Sequence, residues 1–577
     1  MKASDYIVQF FHDRGVNIIF GYIGGMITHL VDSIDRHPEV RFIQTYHEQT
    51  AAIAAEGYAL ESGKPGVAIA TSGPGATNLI TGIADAYFGS VPTIFITGQV
   101  NTYEYKYDKP IRQQGFQETD VIGIVKPITK YAVMVDNAKN LPYELEKAFY
   151  LANSGRKGPV LLDIPMDISR ADIEPEQLKK FNPSPKEKNP EIDFTQIIKT
   201  IESAKRPLVL IGGGCRGYNN EVSHFIETYK LPFVTSLMGR GCINEDIPLY
   251  TGMIGSYGNR CANIIISKCD VLIVLGSRLD TRQTGAKLQG FMPNGTIIHV
   301  DIDSVELDHH RLSNRISVNL SVKQFIKDFQ YHIKDIQISG KWIETVKSII
   351  FKYNQEQEIE RFVKNKAPYR LMETFNEVSK TNAIITSDIG QNQMWVAQTL
   401  KIKEGQHFFT SGGLAPMGFS LPAAIGAAFA NPHKTIYCFT GDGGLHLACQ
   451  SLLLISQYNL NIKVIILDNK SLGMITQFQR LYFNGHKVAT TNQGGYLVPN
   501  FKDLAKAYFI PYQHLSALEL NTHSLEKALN LQNILIDYTF PEDGIVSPKL
   551  EFNQPLYNQT PFLPDEELRS IINFLDN

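Results

Sequence analysis

Short apolar runs alternate with longer amphipathic stretches along most of this chain. Residues 67–70, 208–211 and 271–275 are continuous apolar runs of the length of a strand that is buried on both faces. The stretches between such runs are long enough for crossover helices, and glycine-rich turns follow several of the runs. This alternation predicts an α/β protein with mostly parallel sheets flanked by helices.

The alternating pattern divides into three Rossmann-like domains. The run Phe181 to Pro190 contains three prolines, which disfavour regular structure and mark a linker. The charged helical segment before residue 367 is interpreted as a solvated connector. The expected segments are 1–170 (first domain), 171–190 (linker), 191–340 (central domain), 341–366 (connector), 367–545 (third domain) and 546–577 (C-terminal tail).

Composition excludes several classes of protein. The 577 residues carry a formal net charge of −3 and no long Lys/Arg cluster, which disfavours nucleic-acid binding. Apolar runs stay well short of the roughly 18 residues of a membrane span, and the first residues lack a signal-peptide core. The six cysteines include no Cys-x-x-Cys pair, so a redox dithiol is not indicated. We expect a cytoplasmic protein that neither enters a membrane nor binds nucleic acid.

Two loops of the third domain carry the clearest chemistry. A β-rich run, 434–439, leads into Gly441-Asp442-Gly443-Gly444, and an apolar run, 462–467, leads into Asp468 and Asn469. Neighbouring parallel strands end at the same edge of a sheet, so we expect the two loops to meet. The carboxylate of Asp442 and the amide oxygen of Asn469 are hard ligands that suit Mg²⁺, and the glycines let backbone amides approach phosphate.

Two further places carry candidate chemistry. Glu48 lies between the strand expected over 40–45 and a helix expected from Thr50 to Leu60, where ligands can bind. The simpler interpretation is an acid at a helix start, which the helix macrodipole favours. The loop 71–78 is tight, and either a structural turn or a ligand loop is compatible with it. Gly212-Gly213-Gly214 and Gly217 form a Gly-x-Gly-x-x-Gly after a strand, but no acid follows about 20 residues later, so the dinucleotide signal is weak.

Taken together, Glu48, the 71–78 loop, Phe116-Gln117-Glu118, Gly390-Gln391 and the 441–469 pattern resemble the thiamine-diphosphate (ThDP) enzymes in their acetohydroxyacid synthase branch. The resemblance covers roughly residues 1–545 and implies pyrimidine-binding, central and diphosphate-binding domains. It also implies that Glu48 hydrogen-bonds N1′ of the cofactor and promotes loss of its C2 proton, and that Met417 forces the cofactor into a bent conformer.

The resemblance implies the remaining site residues as well. The catalytic set is Glu48, Met417, Gln117 and Phe116. Magnesium is bound by Asp442, Asn469 and the carbonyl of Ser471. Cofactor contacts are Pro74, Asn78, Gly390, Gln391, Asn392, Gly413, Ala415, Met417, Gly441, Gly443, Gly444, Ser471, Leu472, Gly473 and Met474. Because the family builds each site from two chains, the resemblance implies at least a homodimer.

In this branch the central domain holds FAD without redox use. The matching residues here are Gly212, Gly213, Gly214, Ser236, Leu237, Gly276, Arg278, Asp280, Arg282, Asp301 and Ile302. Two departures stand against the match: Ile254 replaces a histidine, and Asn319-Leu320 replaces Gly-Asp. We expect FAD in addition to ThDP and Mg²⁺.

The function implied by the resemblance is a carboligase that decarboxylates pyruvate, a 2-keto acid, and transfers the two-carbon unit to a second carbonyl. Pyruvate as acceptor gives 2-acetolactate. Phe478 replaces the branch's tryptophan at the acceptor pocket, Ala415-Pro416 replaces Gly-Thr, Asn392 replaces histidine, and the tail beyond Gly544 is atypical. This tail resembles that of flavin-containing relatives that add a two-carbon unit to a keto-sugar nucleotide, so such an acceptor stays open as an alternative.

Two other functions fit the sequence less well. A simple 2-keto acid decarboxylase is disfavoured because residues 100–120 lack an adjacent His-His pair. A non-catalytic binding paralogue is disfavoured because Glu48, Asp442 and Asn469 are all retained. The sequence does not indicate whether a regulatory subunit is needed.

Overall fold

The computed structural model describes residues 1–183, 192–292 and 294–574, so part of the predicted linker lies outside the described residues. Three six-stranded sheets organise the chain, and the strands within each sheet pair in parallel. Helices flank each sheet. The predicted α/β class with three Rossmann-like units is therefore confirmed.

The first sheet has the strand order β2-β1-β3-β4-β6-β5. Its strands are β1 Ile18–Tyr22, β2 Arg41–Gln44, β3 Gly66–Ala70, β4 Thr93–Gln99, β5 Tyr131–Met134 and β6 Val160–Pro165. Its helices are α1 Ala3–His12, α2 Thr28–Arg36, α3 Glu48–Ser62, α4 Pro74–Asn78, α5 Ile80–Gly89, α6 Val121–Val125, α7 Leu141–Asn153 and α8 Met166–Arg170.

The second sheet has the order β12-β11-β10-β7-β8-β9. Its strands are β7 Pro207–Ile211, β8 Phe233–Thr235, β9 Tyr250–Met253, β10 Val271–Leu275, β11 Thr296–Asp301 and β12 Arg315–Asn319. Its helices are α9 Phe194–Ser203, α10 Asn219–Tyr229, α11 Arg260–Ile266, α12 Thr281–Thr284, α13 Ser304–Asp308 and α14 Val322–His332, and the helices α15 Gly340–Tyr353 and α16 Gln355–Phe362 follow.

The third sheet has the order β14-β13-β15-β16-β18-β17. Its strands are β13 Ala383–Ser387, β14 His407–Phe409, β15 Thr435–Gly441, β16 Ile462–Asp468, β17 Tyr512–Ser516 and β18 Ile534–Thr539. Its helices are α17 Ala367–Val378, α18 Gln391–Thr399, α19 Ser420–Ala430, α20 Asp442–Ala448, α21 Leu452–Gln457, α22 Gly473–Tyr482, α23 Phe501–Ala507 and α24 Thr522–Leu529, and α25 Asp565–Phe574 follows in the tail.

The first and third units are joined through helices α3 and α19, whose backbones touch at glycines. A Cβ on Gly426 would lie 1.8 Å from the carbonyl oxygen of Ala54, and a Cβ on Gly57 would lie 2.1 Å from that of Ala423. Only glycine fits at such close approaches. The contact fixes the helix that begins with Glu48 against the helix that follows Met417.

We expect Gly426→Ala to destabilise the protein by about 1–3 kcal/mol, because the added methyl group overlaps backbone that cannot move freely. Gly340→Ala is the matched control, since it also lies in a helix and its Cβ would meet nothing within 4 Å. Denaturant unfolding of the two variants measures the difference. Equal unfolding midpoints would show that the α3–α19 contact contributes no stability.

The predicted connector is not solvated on its inner face. Trp342 is 2% exposed, and its indole N–H donates to the carbonyl of Pro207 at 3.0 Å. Glu358 of α16 accepts two hydrogen bonds from the buried guanidinium of Arg260, at 2.7 and 3.0 Å. The expectation of a solvated segment was wrong, because its apolar stripe and the buried carboxylate of Glu358 face the folded units, while most of its other charged residues are exposed.

The tail binds the central and third units to each other. Its residues Lys549 and Thr560 form an antiparallel bridge. Arg260 donates to the carbonyls of Gln559 and Pro561 at 3.0 and 2.8 Å, and Ser547 N–H donates to the hydroxyl of Tyr369 at 2.8 Å.

Among the described residues, the helices are all too short or too polar to cross a membrane.

Candidate active site

Three loops of the third unit meet at the carboxyl edge of its sheet. The chain leaves β13 for β14 on one side and later returns to pair β15 on the other side of β13. Ligands of open α/β sheets bind at such a reversal of strand order. Gly441 pairs with Leu467 in the ladder between β15 and β16, so these two strands end level with each other.

The side chains of Asp442 and Asn469 converge on one backbone amide. The Ser471 N–H lies 3.2 Å from Oδ2 of Asp442 and 3.2 Å from Oδ1 of Asn469. Asp442 is 2% exposed, and its Oδ1 accepts a hydrogen bond from the hydroxyl of Tyr496 at 2.8 Å. Burial raises the pKa of Asp442 to about 7, which a bound cation would reverse by favouring the ionised form.

This donor set fits Mg²⁺ in its chemistry. It offers one carboxylate, one amide oxygen and the Ser471 carbonyl, which already accepts the N–H of Gly473 at 2.7 Å and keeps a second lone pair. With these three protein oxygen ligands, Mg²⁺ would keep coordination positions for water and phosphate oxygens, as it prefers. The roles of these three residues as ligands stay predictions.

The predicted cofactor glycines lie where a side chain would fill the site. A Cβ on Gly443 would lie 3.1 Å from Cε of Met417 and 2.8 Å from Cδ2 of Leu472. A Cβ on Gly473 would lie 1.9 Å from Oε1 of Gln391. The remaining predicted glycines make similar approaches: Gly390 and Gly441 to Asn392, and Gly444 to Asp388. Such close approaches exclude any side chain at these positions, and the amides of Gly443 and Gly473 donate to Oδ1 of Asp442 and to the Ser471 carbonyl.

The side chain of Gln391 is bonded to protein groups. Its amide N–H donates to Oε1 of Gln477 and to the carbonyl of Gly544, both at 3.0 Å, and its oxygen accepts from Asn469 at 3.3 Å. It therefore joins the β13 loop, the Asn469 loop and the beginning of the tail. The diphosphate contact expected at Gln391 stays a prediction. Asn392 donates to the Asp388 carbonyl at 2.8 Å, and Met474 packs against the core of the third unit.

A buried acid that sequence reasoning missed positions Met417. Asp388 accepts hydrogen bonds from the backbone amides of Ile389, Gly418 and Ser420, at 2.8, 2.9 and 3.1 Å. Burial raises the pKa of Asp388 to about 6. Asp388 directly follows β13, and a carboxylate at the carboxyl end of a predicted strand is the signal that could have identified it. Tyr496 was also missed, and no spacing in the sequence links it to Asp442.

Hydrogen bonds and close packing hold the turn before Met417 against the first unit. Ala415 has a positive φ of 61°, which non-glycine residues rarely adopt, and its N–H donates to the hydroxyl of Ser411 at 2.9 Å. Ser411 in turn donates to the carboxylate of Asp85 at 2.5 Å. A Cβ on Gly413 would lie 2.6 Å from Cβ of Phe88, so Gly413 serves at least in part as a packing residue.

Glu48 is the first residue of α3, which begins two residues earlier than expected. It is 7% exposed, and its Oε2 accepts a hydrogen bond from Asn78 at 2.9 Å. A Cβ on Gly75 would lie 3.2 Å from its Oε1. The 71–78 loop, with Pro74 at the start of α4, therefore surrounds this carboxylate.

The Phe116-Gln117 segment meets the same loop. Cβ of Gln117, a residue with φ of 61°, would lie 2.9 Å from a Cβ on Gly73. Phe116 is 81% exposed in the single chain. Glu118 points away from the loop: burial acts to raise its pKa, but hydrogen bonds from the amides of Gln114, Lys106 and Gly115 outweigh burial and lower it.

A cavity of about 650 Å³ lies in the central unit and reaches both neighbouring units. Its wall includes all the predicted flavin contacts except Gly212, namely Gly213, Gly214, Ser236, Leu237, Gly276, Arg278, Asp280, Arg282, Asp301 and Ile302. Gly212 lies behind the wall, where its Cβ would be 2.2 Å from the Gly276 oxygen. Asp280 caps α12 by accepting from the amides of Arg282 and Gln283.

The two departures from the flavin pattern have structural roles here. Ile254 is 3% exposed and lines the cavity. The side-chain amide of Asn319 donates to the carbonyl of Asp301 at 3.2 Å. Both residues therefore support the cavity wall.

Family models of thiamine pyrophosphate enzymes match three parts of the chain. The N-terminal TPP binding domain matches residues 1–124, the central domain matches residues 194–329, and the C-terminal TPP binding domain matches residues 388–537. Each match lies on one of the three sheets.

Curated relatives match nearly the whole chain. The "Probable acetolactate synthase large subunit" of Methanococcus aeolicus is 36% identical over 95% of this chain and 93% of its own length. The "Acetolactate synthase isozyme 2 large subunit" of Escherichia coli is 36% identical over 92% and 94%. "Acetolactate synthase, chloroplastic" of Arabidopsis thaliana is 35% identical over 95% and 83%.

Proposed function

This chain belongs to the thiamine pyrophosphate enzymes, with the acetolactate synthase large subunits as its relatives, and on that premise we propose that it decarboxylates pyruvate and transfers the two-carbon unit to a second carbonyl. With pyruvate as acceptor the product is 2-acetolactate. The observation that carries the proposal is the convergence of Asp442 and Asn469 on the Ser471 amide, beside Met417. ThDP, when bound, supplies the acidic carbon and the electron sink for this chemistry.

The protein residues have distinct tasks in this proposal. Asp442, Asn469 and the Ser471 carbonyl hold Mg²⁺, and the glycine-lined loops hold the diphosphate. Glu48 exchanges a proton with the aminopyrimidine end of the cofactor through its buried carboxylate, which Asn78 orients by donating a hydrogen bond. Met417 fills the space next to Gly443 and orients the cofactor rings. The surrounding loops exclude water from the reacting carbon.

We also propose that two copies of the chain complete each site. Large apolar side chains on the site loops and on the helices that follow them are exposed in the single chain: Phe116 at 81%, Leu414 at 39%, Leu447 at 57% and Ile475 at 50%. Exposed apolar groups around a site favour coverage by another chain. Several relatives are named large subunits, so a smaller partner chain is part of the proposal.

The cavity of the central unit is proposed to bind FAD. Its glycine-rich walls and its cations, Arg278 and Arg282, fit a dinucleotide. We expect Gly213→Leu, which places a side chain in the wall, to abolish FAD binding in a fluorescence titration of the purified protein. Gly340→Leu, a glycine with open space around it, is the control and should bind FAD normally. Equal binding by the two variants would exclude FAD from this cavity.

Product analysis tests the proposed reaction. The protein is supplied with pyruvate, ThDP and Mg²⁺, with or without 2-ketobutyrate or a keto-sugar nucleotide, and products are identified by mass. Acetohydroxyacids confirm carboligation, and acetaldehyde as the sole product would exclude it. A keto-sugar nucleotide is the second candidate acceptor. Two departures from the branch pattern lie together, since the ring of Phe478 packs edge-on against that of Phe552 in the atypical tail, with ring centres 5.9 Å apart.

A further inference from the structure

Two buried acids are in contact between helices α3 and α5. Glu56 of α3 is 3% exposed and Asp85 of α5 is 1% exposed, and their carboxyl groups hydrogen-bond each other. Among the described residues, no donor from any other group reaches Oε2 of Glu56 or Oδ2 of Asp85. An ionised carboxylate can only accept a hydrogen bond, so the contact between the two groups requires a proton on one of them.

Close packing of the two helices keeps these carboxyl groups together. A Cβ on Gly82 of α5 would lie 2.3 Å from Cβ of Ala52 of α3, so the helices approach this closely only because residue 82 is a glycine. A Cβ on Gly89, one turn after Asp85, would lie 3.2 Å from Oε1 of Glu56. The packing therefore holds the two carboxyl groups at short range.

Neither carboxyl group has a cation as a partner within the described residues. α5 carries no other charged residue, and β1, β3, β4, α4 and α19, which pack against α3 or α5, carry none. Lys126, in the short turn that packs on α5, is exposed. The remaining acids of α3 are bonded elsewhere. Glu48 accepts a hydrogen bond at the beginning of the helix, and Glu61 at its end pairs with His407 of β14 and with Lys434.

Burial raises the pKa of both carboxyl groups. The charge of Asp85 raises that of Glu56 further, whereas hydrogen bonds from Ser411 and Glu56 oppose part of the rise at Asp85. Two buried carboxylates in contact repel each other, so a proton shared between them is retained under conditions in which exposed acids are ionised. Burial and repulsion together therefore favour one proton and one negative charge on the pair.

Asp85 connects this pair to the turn that precedes Met417. Its Oδ1 accepts from the hydroxyl of Ser411 at 2.5 Å, and the oxygen of that hydroxyl accepts the amide N–H of Ala415 at 2.9 Å. Ala415 has the positive φ of 61°, a conformation that persists only where surrounding structure supports it. A continuous chain of hydrogen bonds thus runs from α3 through α5 to the turn.

We propose that Glu56 and Asp85 share one proton and act as positioning residues, which through Ser411 hold the turn that sets the place of Met417. The inference rests on the proposed function, in which Met417 orients the cofactor rings. Loss of the shared proton leaves two carboxylates in contact, and their repulsion displaces Asp85 and releases its hold on Ser411. The turn is therefore less well ordered at high pH than at neutral pH.

Infrared spectroscopy of the apoprotein in D₂O tests for the shared proton. A protonated carboxyl group has a carbonyl stretch that a carboxylate lacks, so the wild-type spectrum minus that of Glu56→Gln should show this band at neutral pH. Glutamine keeps the size of the side chain and a donor for Asp85. Absence of the band from this difference spectrum would overturn the proposal.

Glu61→Gln is the matched control for the infrared test. Glu61 lies on the same helix, and its side chain is 3% exposed. Burial acts to raise its pKa, but the hydrogen bonds and charges of His407 and Lys434 outweigh burial and lower it. Its replacement should therefore remove a carboxylate and leave the carbonyl band of the protonated acid unchanged. An equal loss of this band in Glu61→Gln and Glu56→Gln would contradict its assignment to the pair.

The pH dependence of unfolding gives a second test without cofactor. A carboxyl group whose pKa is raised by folding binds more protons in the folded protein than in the unfolded chain, where its pKa is about 4. Stability therefore falls as the pH rises from about 4 toward the folded pKa. The Tm of the wild type should fall more steeply than that of Glu56→Gln between about pH 5 and about pH 9. Equal slopes would show that the pair shares no proton.

Ser411→Ala tests the link from the pair to the turn. We expect it to slow exchange of the C2 proton of bound ThDP by about 10- to 100-fold, the cost of misplacing a group that orients the reactants. Ser451→Ala is the matched control. Ser451 is also fully buried, and its hydroxyl bonds that of Thr50 of α3 at 3.0 Å, so this variant loses a hydrogen bond between the same two units away from the turn. Equal effects of the two variants would reduce Ser411 to a packing residue and overturn the proposal.

Failure of the proposed function can be told apart from failure of this inference. The infrared and unfolding measurements use the protein without cofactor or substrate, so they decide on the shared proton whatever reaction the protein catalyses. Release of CO₂ from pyruvate by the wild type is measured separately, and its absence would contradict the proposed function rather than the proton shared by Glu56 and Asp85.

Discussion

Glu48→Gln is expected to slow exchange of the C2 proton of bound ThDP by about 10²- to 10⁴-fold, the usual contribution of a positioned acid–base group. The glutamine keeps the size of the side chain and a hydrogen bond with Asn78, so cofactor affinity should change little. Proton exchange is followed by NMR after quenching in D₂O, and affinity is measured by titration of the same preparation.

The matched control separates catalysis from helix stabilisation. Glu356 also lies in the first turn of a helix, α16, and is exposed. If Glu48 were only a favourable helix-start charge, Glu48→Gln and Glu356→Gln would have equally small effects. Asn78→Ala should give an intermediate loss of exchange rate, because the carboxylate of Glu48 remains but loses its orienting donor. Unchanged exchange in Glu48→Gln would remove this residue from the proposed role.

Asp442→Asn is expected to weaken joint binding of Mg²⁺ and ThDP by about 100-fold or more, since loss of even an indirect ligand contact costs 10- to 100-fold in metal affinity. The amide retains the shape but removes the single charge of the proposed donor set. Isothermal titration of the apoprotein with ThDP in excess Mg²⁺ measures the affinity directly and needs no activity.

Asp537→Asn is the control for the loss of a buried carboxylate. Asp537 lies on β18 of the same sheet, is 7% exposed, and accepts a hydrogen bond from Tyr512 at 2.9 Å. Burial raises its pKa, as burial does for Asp442. Its replacement should leave cofactor affinity unchanged. If both variants bound the cofactor equally well, Asp442 would not be a metal ligand.

Local sequence patterns predicted the features that depend on strand order and backbone shape. Buried apolar runs predicted the three parallel sheets, and the neighbouring strands that lead to Asp442 and Asn469 predicted that their two loops meet. Both expectations follow from rules about neighbouring residues. The family membership and the fold are confirmed, while the domain boundaries and the residue roles stay predictions.

Contacts between distant segments could not be predicted in the same way. Tyr496 donates to Asp442 from a segment without regular secondary structure, so no periodic pattern in the sequence could predict this contact. The 341–366 segment is rich in charge, which suggested solvent on all sides, yet Trp342 donates to a strand of the central unit. The tail was identified as atypical, but the position of Lys549 depends on a bridge to Thr560 that only the folded chain reveals.

The contact between α3 and α19 has a consequence for a two-chain enzyme. Glu48 begins α3, Met417 precedes α19 by a few residues, and the two helix backbones touch at Gly57 and Gly426. If each site takes Glu48 from one chain and Met417 from the other, these two residues of a single chain serve different sites. Cofactor binding that shifts one helix then alters the geometry of the opposite site, so we expect cooperativity between the two halves of the dimer.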